Sequence, residues 1–475
     1  MAYKMLTLLT PLLTSPILAR ALGAEKIGIY SATLAIINVF MLVAMLGSES
    51  YGSRTIGAFR NDRNAIQRHF WNIYAVQFVA GCLSVSAYLI SCLLIEPDRR
   101  LFALLQTPFL LSCLLDINWF YYGCEEFKIT VLRNTILKLV TIVCIVLFIH
   151  GPDDLWKYII IMSCTTMISQ LMLWVSLRKF IFFEKPQLKE ARQHVRPMLN
   201  LFIPTIATSV FFVMDKLMID FFSIETQLGY YYSADKIISI PFGIILALDT
   251  IMLPRMANIF STENLKNAET MLKKTSELTM FFTTAMGFGI AAIAKEFVPF
   301  FFGPGFEPCI VLIYLFVPVI IVKGGTHLIR YHYLIPIGKD RIYSVSLYCG
   351  VVANLIANFF LIRKYAAIGA VLGTIFAEVV VLIVEIIGTR KEVPFTRMLF
   401  SHSLYILFGA LMYLAVRWFS GFLIMERLLK LIVMILFGAI IFLTLCLVWW
   451  FVLKKGLFYD YIAKLINKNF CKHKV

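Results

Sequence analysis

Stretches of about twenty apolar residues recur along the whole 475-residue chain, and this is the length that a helix needs to cross a bilayer. Only 15% of the residues are charged, whereas a soluble domain has roughly a quarter. The segments of about ten alternating residues that mark a membrane β-barrel are not found. The sequence therefore predicts an all-α polytopic membrane protein.

Fourteen apolar spans are predicted, with short or basic connections and no inserted soluble domain. They lie at about 2–20, 27–48, 71–95, 101–122, 131–149, 155–177, 198–222, 232–253, 277–300, 309–334, 342–362, 366–388, 399–419 and 427–453. The first run is interpreted as a membrane span and not as a signal peptide, because it leads into a second span and lacks a small-x-small cleavage site.

Basic residues are distributed unequally between the two sets of loops. The loops after even-numbered spans, together with the C-terminal tail, hold 26 Lys and Arg residues, and the opposite loops hold eight. This bias predicts that both termini are cytoplasmic. It also explains the net charge of +16 without a nucleic-acid partner. The ten cysteines are scattered without a CxxC pair, which favours apolar packing over metal binding or disulfides.

A faint internal repeat appears when the chain is shifted by 201 residues. The shift superposes Gly28 on Gly229, Tyr30 on Tyr231, Arg54 on Arg255 and Gly123 on Gly324. A unit of six spans keeps its orientation, so the halves would be related by a pseudo-twofold axis along the membrane normal. We predict a six-helix bundle at 1–180, a second at 181–390, and two extra helices with a basic cytoplasmic tail at 391–475.

Ionisable residues inside the spans are concentrated in a subset of them. They are Asp116 in span 4, Asp215, Lys216 and Asp220 in span 7, Asp249 in span 8, Lys323, His327 and Arg330 in span 10, and Glu378 and Glu385 in span 12. Each costs about 2.5–3.5 kcal/mol at mid-bilayer, so such residues face a bundle interior or water. The concentration predicts a polar cavity lined by these helices.

Two spans leave alternatives open. Asp215 and Lys216 are adjacent and point about 100° apart, so each needs a partner elsewhere. Either each residue forms an interhelical ion pair that fixes the packing, or the two residues line a cavity. In span 10, Gly324 and Gly325 lie among a proline and cations. Either the helix is interrupted there and suits an anion, or the span ends near Lys323 in a basic loop.

Arg20, Arg54 and Arg255 lie at span ends. A lone arginine there is typical of a snorkelling anchor. Because Arg54 and Arg255 also match in the repeat, a shared role at the mouth of a cavity is favoured. Signatures of catalysis such as GxSxG, HExxH or a P-loop are missing, so no enzyme, catalytic residue or metal site is predicted.

The stretch DINWFYYGCEEFKITVLRNTILKL resembles the fourth-span signature of the polysaccharide transport family. The matching residues are Asp116, Trp119, Phe120, Gly123, Glu125, Lys128, Arg133 and Asn134, while Tyr122 replaces a frequent glutamine. SPILARALGAEKIGIYS, DKLMIDFFSIETQLGYYYSADKI and LPRM at 253–256 also resemble the family. The resemblance covers roughly residues 5–390.

The resemblance implies a flippase for O-antigen or capsule repeat units that works by alternating access between two six-helix bundles. Its substrate would be an oligosaccharide linked to undecaprenyl pyrophosphate, in the bacterial cytoplasmic (inner) membrane. The substrate-binding candidates are Arg20, Arg54, Asp116, Lys216, Arg255, Lys323 and Arg330. The candidates for coupling to H⁺ or Na⁺ are Asp215, Asp249 and Glu378. For Trp119 and Phe120, packing is favoured over contact with sugar.

Three other functions fit the sequence less well than a flippase. A multidrug or cation antiporter on the same fold would have an acidic cavity, which the arginines oppose although Asp215 and Asp249 fit it. A membrane enzyme such as a repeat-unit polymerase would show a large outer loop, which the sequence lacks. A purely structural protein would not need the intramembrane charges. The expected partners are membrane lipids, a polysaccharide polymerase and a chain-length regulator.

Overall fold

The computed structural model describes residues 2–262 and 265–453, and all regular elements in this part of the chain are helical. The helices are α1 (Ala2–Met45), α2 (Ser48–Ala58), α3 (Arg63–Cys92), α4 (Pro97–Leu105), α5 (Thr107–Leu114), α6 (Asn118–Gly123), α7 (Phe127–Phe148), α8 (Leu155–Leu177), α9 (Leu188–Phe222), α10 (Glu225–Ser261), α11 (Leu265–Phe301), α12 (Pro308–Ile329), α13 (Asp340–Thr389), α14 (Phe395–Ser401), α15 (Leu404–Ser420) and α16 (Arg427–Leu453). The chain divides into two compact units between Tyr232 and Ser233. The predicted boundaries at residues 180 and 390 stay predictions.

Eleven segments of the described chain are long and apolar enough to cross a membrane. Two of them, Thr10–Ala58 and Asp340–Thr389, contain non-helical backbone at Gly23 (φ 75°, ψ 172°) and Ala366 (φ 49°, ψ −124°). Each of these long segments therefore carries two predicted spans, and α9 carries the span predicted at 198–222. All fourteen predicted spans coincide with helices, so the all-α polytopic fold is confirmed.

The fourth predicted span is not one helix but three short ones, α4, α5 and α6. Prolines lie in the first turns of α4 and α5, where a missing N–H costs little. Between α5 and α6, the Asp116 carboxylate accepts hydrogen bonds from the Asn118 backbone nitrogen (2.9 Å) and Nδ2 (2.8 Å). The side chain thus replaces backbone partners that an unbroken helix would have supplied.

An aromatic core in the first unit explains the residues that follow Asp116. Trp119 and Phe120 are fully buried, and the Trp119 ring lies 5.3 Å from that of Phe70 between centroids. Trp119 Nε1 donates to Gln77 Oε1 at 2.9 Å, so the buried indole N–H is satisfied. The packing role predicted for Trp119 and Phe120 is confirmed.

Both expectations for span 10 are wrong. α12 continues unbroken from Pro308 to Ile329 and passes through Gly324 and Gly325, so the span neither breaks at the glycines nor ends near Lys323. A Cβ at Gly324 would come within 2.6 Å of Thr283 Cγ2 on α11. The glycine allows two helices to approach closely, which is a packing reason and not a helix break. The helix widens only beyond Ile329, into a π-helical turn at Arg330–Leu334.

The glycines of the predicted repeat make a reciprocal contact within the first unit. A Cβ at Gly28 would overlap the carbonyl oxygen of Glu225, and a Cβ at Gly229 would overlap that of Ala24. Ala24 and Glu225 are themselves 201 residues apart. Two helical segments therefore cross with symmetric contacts, which gives the repeat a physical meaning that four sequence identities could not supply.

Alanine at Gly28 or Gly229 is expected to destabilise the protein by about 1–3 kcal/mol, because the added methyl meets backbone atoms that cannot turn aside. The thermal unfolding midpoint of the purified protein in detergent measures this. Gly151→Ala is the matched control, since its backbone is extended and nothing lies within 4 Å of the new Cβ. Equal midpoints for all three variants would show that the crossing tolerates side chains.

Candidate functional site

Five of the six cations predicted to bind substrate fall into two groups, and the sixth, Lys216, lies over the Tyr232 ring. Arg20, Arg54 and Arg255 are exposed, on α1, α2 and α10. Within residues 2–262 and 265–453, neither Arg54 nor Arg255 has a carboxylate partner. Lys323 and Arg330 are instead half-buried, and each lies against a glutamate of α13. Arg54 and Arg255 are therefore the predicted cations that an anionic ligand could reach without displacing an ion pair.

The paired cations belong to the second unit. Lys323 Nζ lies 3.4 Å from Glu378 Oε1. Arg330 Nε donates to Glu385 Oε1 at 2.8 Å, and Ser346 Oγ donates to the same oxygen at 2.9 Å. Both glutamates are buried. These contacts fit a packing role, and direct contact of Lys323 or Arg330 with substrate stays a prediction, as does ion coupling through Glu378.

Asp249 of α10 is the centre of a second buried polar cluster in the same unit. His327 Nδ1 lies 2.8 Å from Asp249 Oδ2, and His332 Nε2 lies 3.1 Å from Oδ1. The sequence indicated Asp249 and His327 separately but not their contact, and it did not single out His332. All three side chains come together because the π-helical turn alters the direction of residue 332.

Asp215 and Lys216 have different neighbours, as their adjacent positions on α9 require. The Tyr231 hydroxyl donates to Asp215 Oδ2 at 2.7 Å, and Asp215 is buried. Lys216 Nζ lies 5.6 Å from the centroid of the Tyr232 ring, a cation–π contact. These contacts lie inside the first unit. Substrate binding by Lys216 and ion coupling by Asp215 stay predictions.

Asp116 belongs to a polar network that includes a buried arginine. Gln170 Nε2 donates to Asp116 Oδ2 at 3.1 Å, and Arg133 Nη2 donates to Asn118 Oδ1 at 3.0 Å. Arg133 Nη1 also donates to the Ser169 carbonyl oxygen at 3.0 Å. Arg133 is 5% exposed and was noted from the sequence only as part of the family resemblance. A charged residue inside an apolar span was the signal that could have identified it.

Asp116→Ala is expected to lower the amount of folded protein in the membrane, because it removes the acceptor of Asn118 and Gln170 and leaves buried donors unpaired. Asp116→Asn keeps one acceptor oxygen and is the milder control. Immunoblots of membranes, read beside surface polysaccharide, measure the effect. If Asp116 instead contacts substrate, both variants lose polysaccharide at normal protein levels.

A polar cavity of about 770 Å³ lies in the first unit, between the N-terminal turns of α3 and α9. It is lined by Asp62, Asn64, Ala65, Gln67, Arg68, His69, Glu184, Glu190, Gln193 and His194. Tyr51 Oη and His194 Nδ1 are 2.7 Å apart. Burial, with the neighbouring His69, lowers the pKa of His194 to about 4, so this ring is neutral at pH 7. The lining offers amide, carboxylate and imidazole groups that hydrogen-bond to hydroxyls.

An ion cluster joins three segments at the end of the first unit predicted to be extracytoplasmic. Arg99 of α4 donates through Nη1 to Asp220 at 2.7 Å and through Nη2 to Glu225. Asp220 lies in the last turn of α9, and Glu225 begins α10. The partner of the intramembrane Asp220 is therefore an arginine from a predicted outer loop, and the cluster lies beside the Gly28 and Gly229 crossing.

Comparisons with known proteins identify the family of this chain. The family model described as "Polysaccharide biosynthesis protein" matches residues 1–260. A curated protein of Escherichia coli (strain K12) named "Putative O-antigen transporter" is 20% identical over 392 residues, which cover 81% of this chain and 93% of the relative. A protein of Shigella dysenteriae with the same name is 21% identical over 388 residues, with 79% and 94% covered.

Two solved structures share the fold. One is titled "Lipid II flippase MurJ, inward closed conformation"; it has a TM-score of 0.69 at 14% identity and covers 96% of this chain and 100% of its own. The other is titled as an inward-facing multidrug resistance MATE family transporter of the MOP superfamily, with a TM-score of 0.63 at 13% identity and coverage of 83% and 95%. At these identities the likeness shows the two-bundle fold alone.

Proposed function

Because this multi-pass membrane chain belongs to the polysaccharide biosynthesis protein family, we propose that it is a flippase for lipid-linked oligosaccharide repeat units. It moves an oligosaccharide on undecaprenyl pyrophosphate from the cytoplasmic to the outer leaflet of the bacterial inner membrane. The names of the two curated relatives, and the flippase title of one structural neighbour, support this function. The family and its neighbours are transporters, which supports a non-catalytic role.

The observation that supports the proposal most is that Arg54 and Arg255 differ from Lys323 and Arg330 in having no acidic partner in the described chain. Lys323 and Arg330 are matched with buried glutamates, whereas Arg54 and Arg255 are exposed and have no carboxylate partner in the described chain. The two arginines are also equivalent in the internal repeat. A guanidinium group binds two phosphate oxygens through parallel hydrogen bonds, so each of these arginines is suited to bind a diphosphate.

The proposed cycle uses the two helical bundles in alternation. The repeat unit enters from the cytoplasm, and the polar cavity beside His194 and Glu190 offers hydrogen bonds to its sugar hydroxyls. Arg54 and Arg255, each in its own unit, meet the diphosphate on the cytoplasmic side, and Arg20 meets it on the outer side, while the lipid tail stays in the bilayer. The 26-to-8 bias of basic residues supports this orientation, with both termini in the cytoplasm. A polysaccharide polymerase and a chain-length regulator act next on the product.

Deletion of the chain in its host tests the function. The mutant is expected to lose surface polysaccharide and to accumulate the lipid-linked repeat unit, because synthesis continues while translocation stops. Loss of the lipid-linked unit itself would indicate a biosynthetic enzyme instead. The multidrug antiporter alternative is not favoured, since the curated relatives carry an O-antigen transporter name. Expression in a pump-deficient host is therefore expected to leave drug resistance unchanged.

A further inference from the structure

Both carboxylate oxygens of the buried Asp249 are bound by histidines, His327 at Oδ2 and His332 at Oδ1. An ionised carboxylate only accepts hydrogen bonds, so the ring nitrogen facing it carries the hydrogen in each histidine. His332 is fully buried, and its other nitrogen, Nδ1, has no hydrogen-bond partner among the described residues. That nitrogen has a lone pair able to bind one more proton.

The π-helical turn is what brings the two rings to one carboxylate. Residues five apart on a regular α-helix point about 140° away from each other. Between Arg330 and Leu334 the backbone widens, and the Ile335 nitrogen donates to the Arg330 carbonyl oxygen five residues back at 3.0 Å. Single π-turns of this kind are frequent at functional sites. The wider turn accompanies the meeting of His327 and His332 at Asp249.

Binding of a single proton changes the net charge of Asp249, His327 and His332 from −1 to zero. With both rings neutral, the cluster carries the one negative charge of Asp249. A proton on His332 Nδ1 brings the net charge to zero without breaking either hydrogen bond to the carboxylate. Because an uncompensated charge is costly in an apolar interior, the two protonation states favour different surroundings. One state suits a closed site, and the other suits a site that has opened to water.

The groups around the cluster do not cancel this charge. The titratable and charged side chains from the neighbouring elements are Lys323, Arg330, Tyr331, Tyr343, Glu378 and Glu385. Lys323 is paired with Glu378 and Arg330 with Glu385, so these four are balanced among themselves. Tyr331 lies beside His327, with 5.2 Å between the ring centroids. The two histidines are therefore the groups that can compensate the charge of Asp249.

A metal cation fits the cluster poorly. Each oxygen of Asp249 already accepts an N–H, and an approaching Na⁺ would meet the positive ends of those bonds. In the part of the chain that the structure describes, no three or more histidine, cysteine or acidic side chains are arranged to hold a metal ion. An imidazole that donates to a carboxylate through one nitrogen can still accept a proton at the other.

We propose that Asp249, His327 and His332 form the site at which a proton binds and leaves in each transport cycle. This inference rests on the proposed flippase function and names the ion that drives it. The proton is taken up at His332 Nδ1 from the extracytoplasmic side and released to the cytoplasm, while the repeat unit moves outward. The only bond made or broken is the N–H bond at that nitrogen.

Inside-out membrane vesicles from a polymerase-deficient host test this with the full chain. Such cells retain single lipid-linked repeat units as substrate. Respiration acidifies the vesicle lumen, and the fluorescence of an acridine dye follows the pH gradient. We expect the wild type to dissipate the gradient only when substrate is present. Asp249→Asn and His332→Gln are each expected to reduce this substrate-dependent proton flux at least tenfold, in sodium-free buffer.

His402→Gln is the matched control, because His402 lies in the same unit but bonds to Ser276 and not to Asp249. It is expected to behave as the wild type, and immunoblots verify equal amounts of each variant. The proposal is overturned if both variants conduct protons like the wild type, or if the wild type translocates substrate without proton flux or only with sodium. Absence of any translocation by the wild type, read from outer-leaflet exposure of the glycan, would overturn the flippase function as well.

Discussion

Alanine at Arg54 or Arg255 is expected to abolish surface polysaccharide while the protein remains in the membrane at its normal level. Neither arginine has a carboxylate partner among the described residues, and both are exposed, so their removal leaves no buried charge uncompensated. What these variants lose is the proposed bidentate contact with the diphosphate of the lipid-linked substrate. Agglutination or gel analysis of surface polymer, beside membrane immunoblots, measures both outcomes.

Lysine replacements separate diphosphate binding from snorkelling. A lysine snorkels as an arginine does but cannot form the paired hydrogen bonds of a guanidinium group. Arg54→Lys and Arg255→Lys are therefore expected to lose most of the polymer too. Arg192→Ala, an exposed arginine of α9 ahead of the predicted span, is the control and should have no effect. Full polymer from the lysine variants would assign Arg54 and Arg255 to membrane anchoring.

The second large effect is expected at the buried ion pair of Arg330 and Glu385. Arg330→Met leaves the Glu385 carboxylate, which is 0% exposed, with the Ser346 hydroxyl as its one side-chain donor among the described residues. Removing one partner of a buried pair costs about 3–5 kcal/mol. We therefore expect little folded protein in the membrane, measured by immunoblot and by thermal unfolding of what can be purified.

The double variant Arg330→Met with Glu385→Gln decides between packing and substrate binding. It removes both charges and keeps a polar group beside Ser346, so the protein level should return. If Arg330 serves packing alone, surface polysaccharide returns with the protein. If Arg330 contacts the diphosphate, the double variant is present in the membrane but exports nothing. A double variant as unstable as Arg330→Met would contradict the assigned ion pair.

The helical architecture could be predicted from the sequence because the length of an apolar span is a local property. All fourteen predicted spans lie on helices, since each run of about twenty apolar residues must satisfy its backbone hydrogen bonds internally. The interruptions were harder to place. The fourth span breaks into three helices, and Asp116 accepts a backbone N–H at the second break. Span 10 continues through Gly324, where the missing side chain leaves room for Thr283 of α11.

The candidate site was predictable only in part. The cost of burying charge pointed to Asp249, Lys323 and Glu378, but partners in space do not follow from positions in sequence. His332 was missed because it lies five residues after His327, and residues five apart do not share a face of an α-helix. The sequence contains no pattern that predicts the π-helical turn. The reciprocal contact of Gly28 and Gly229 shows the reverse case, in which a weak sequence repeat indicated real packing.

A flippase determines which leaflet holds the lipid-linked oligosaccharide. In polymerase-deficient spheroplasts, a glycosidase that cannot cross the membrane reports how much of the glycan faces outward. We predict that most of it is cleaved when the chain is present and that cleavage falls to background when the chain is deleted, while total lipid-linked oligosaccharide is unchanged or higher. Equal cleavage with and without the chain would contradict a flippase role.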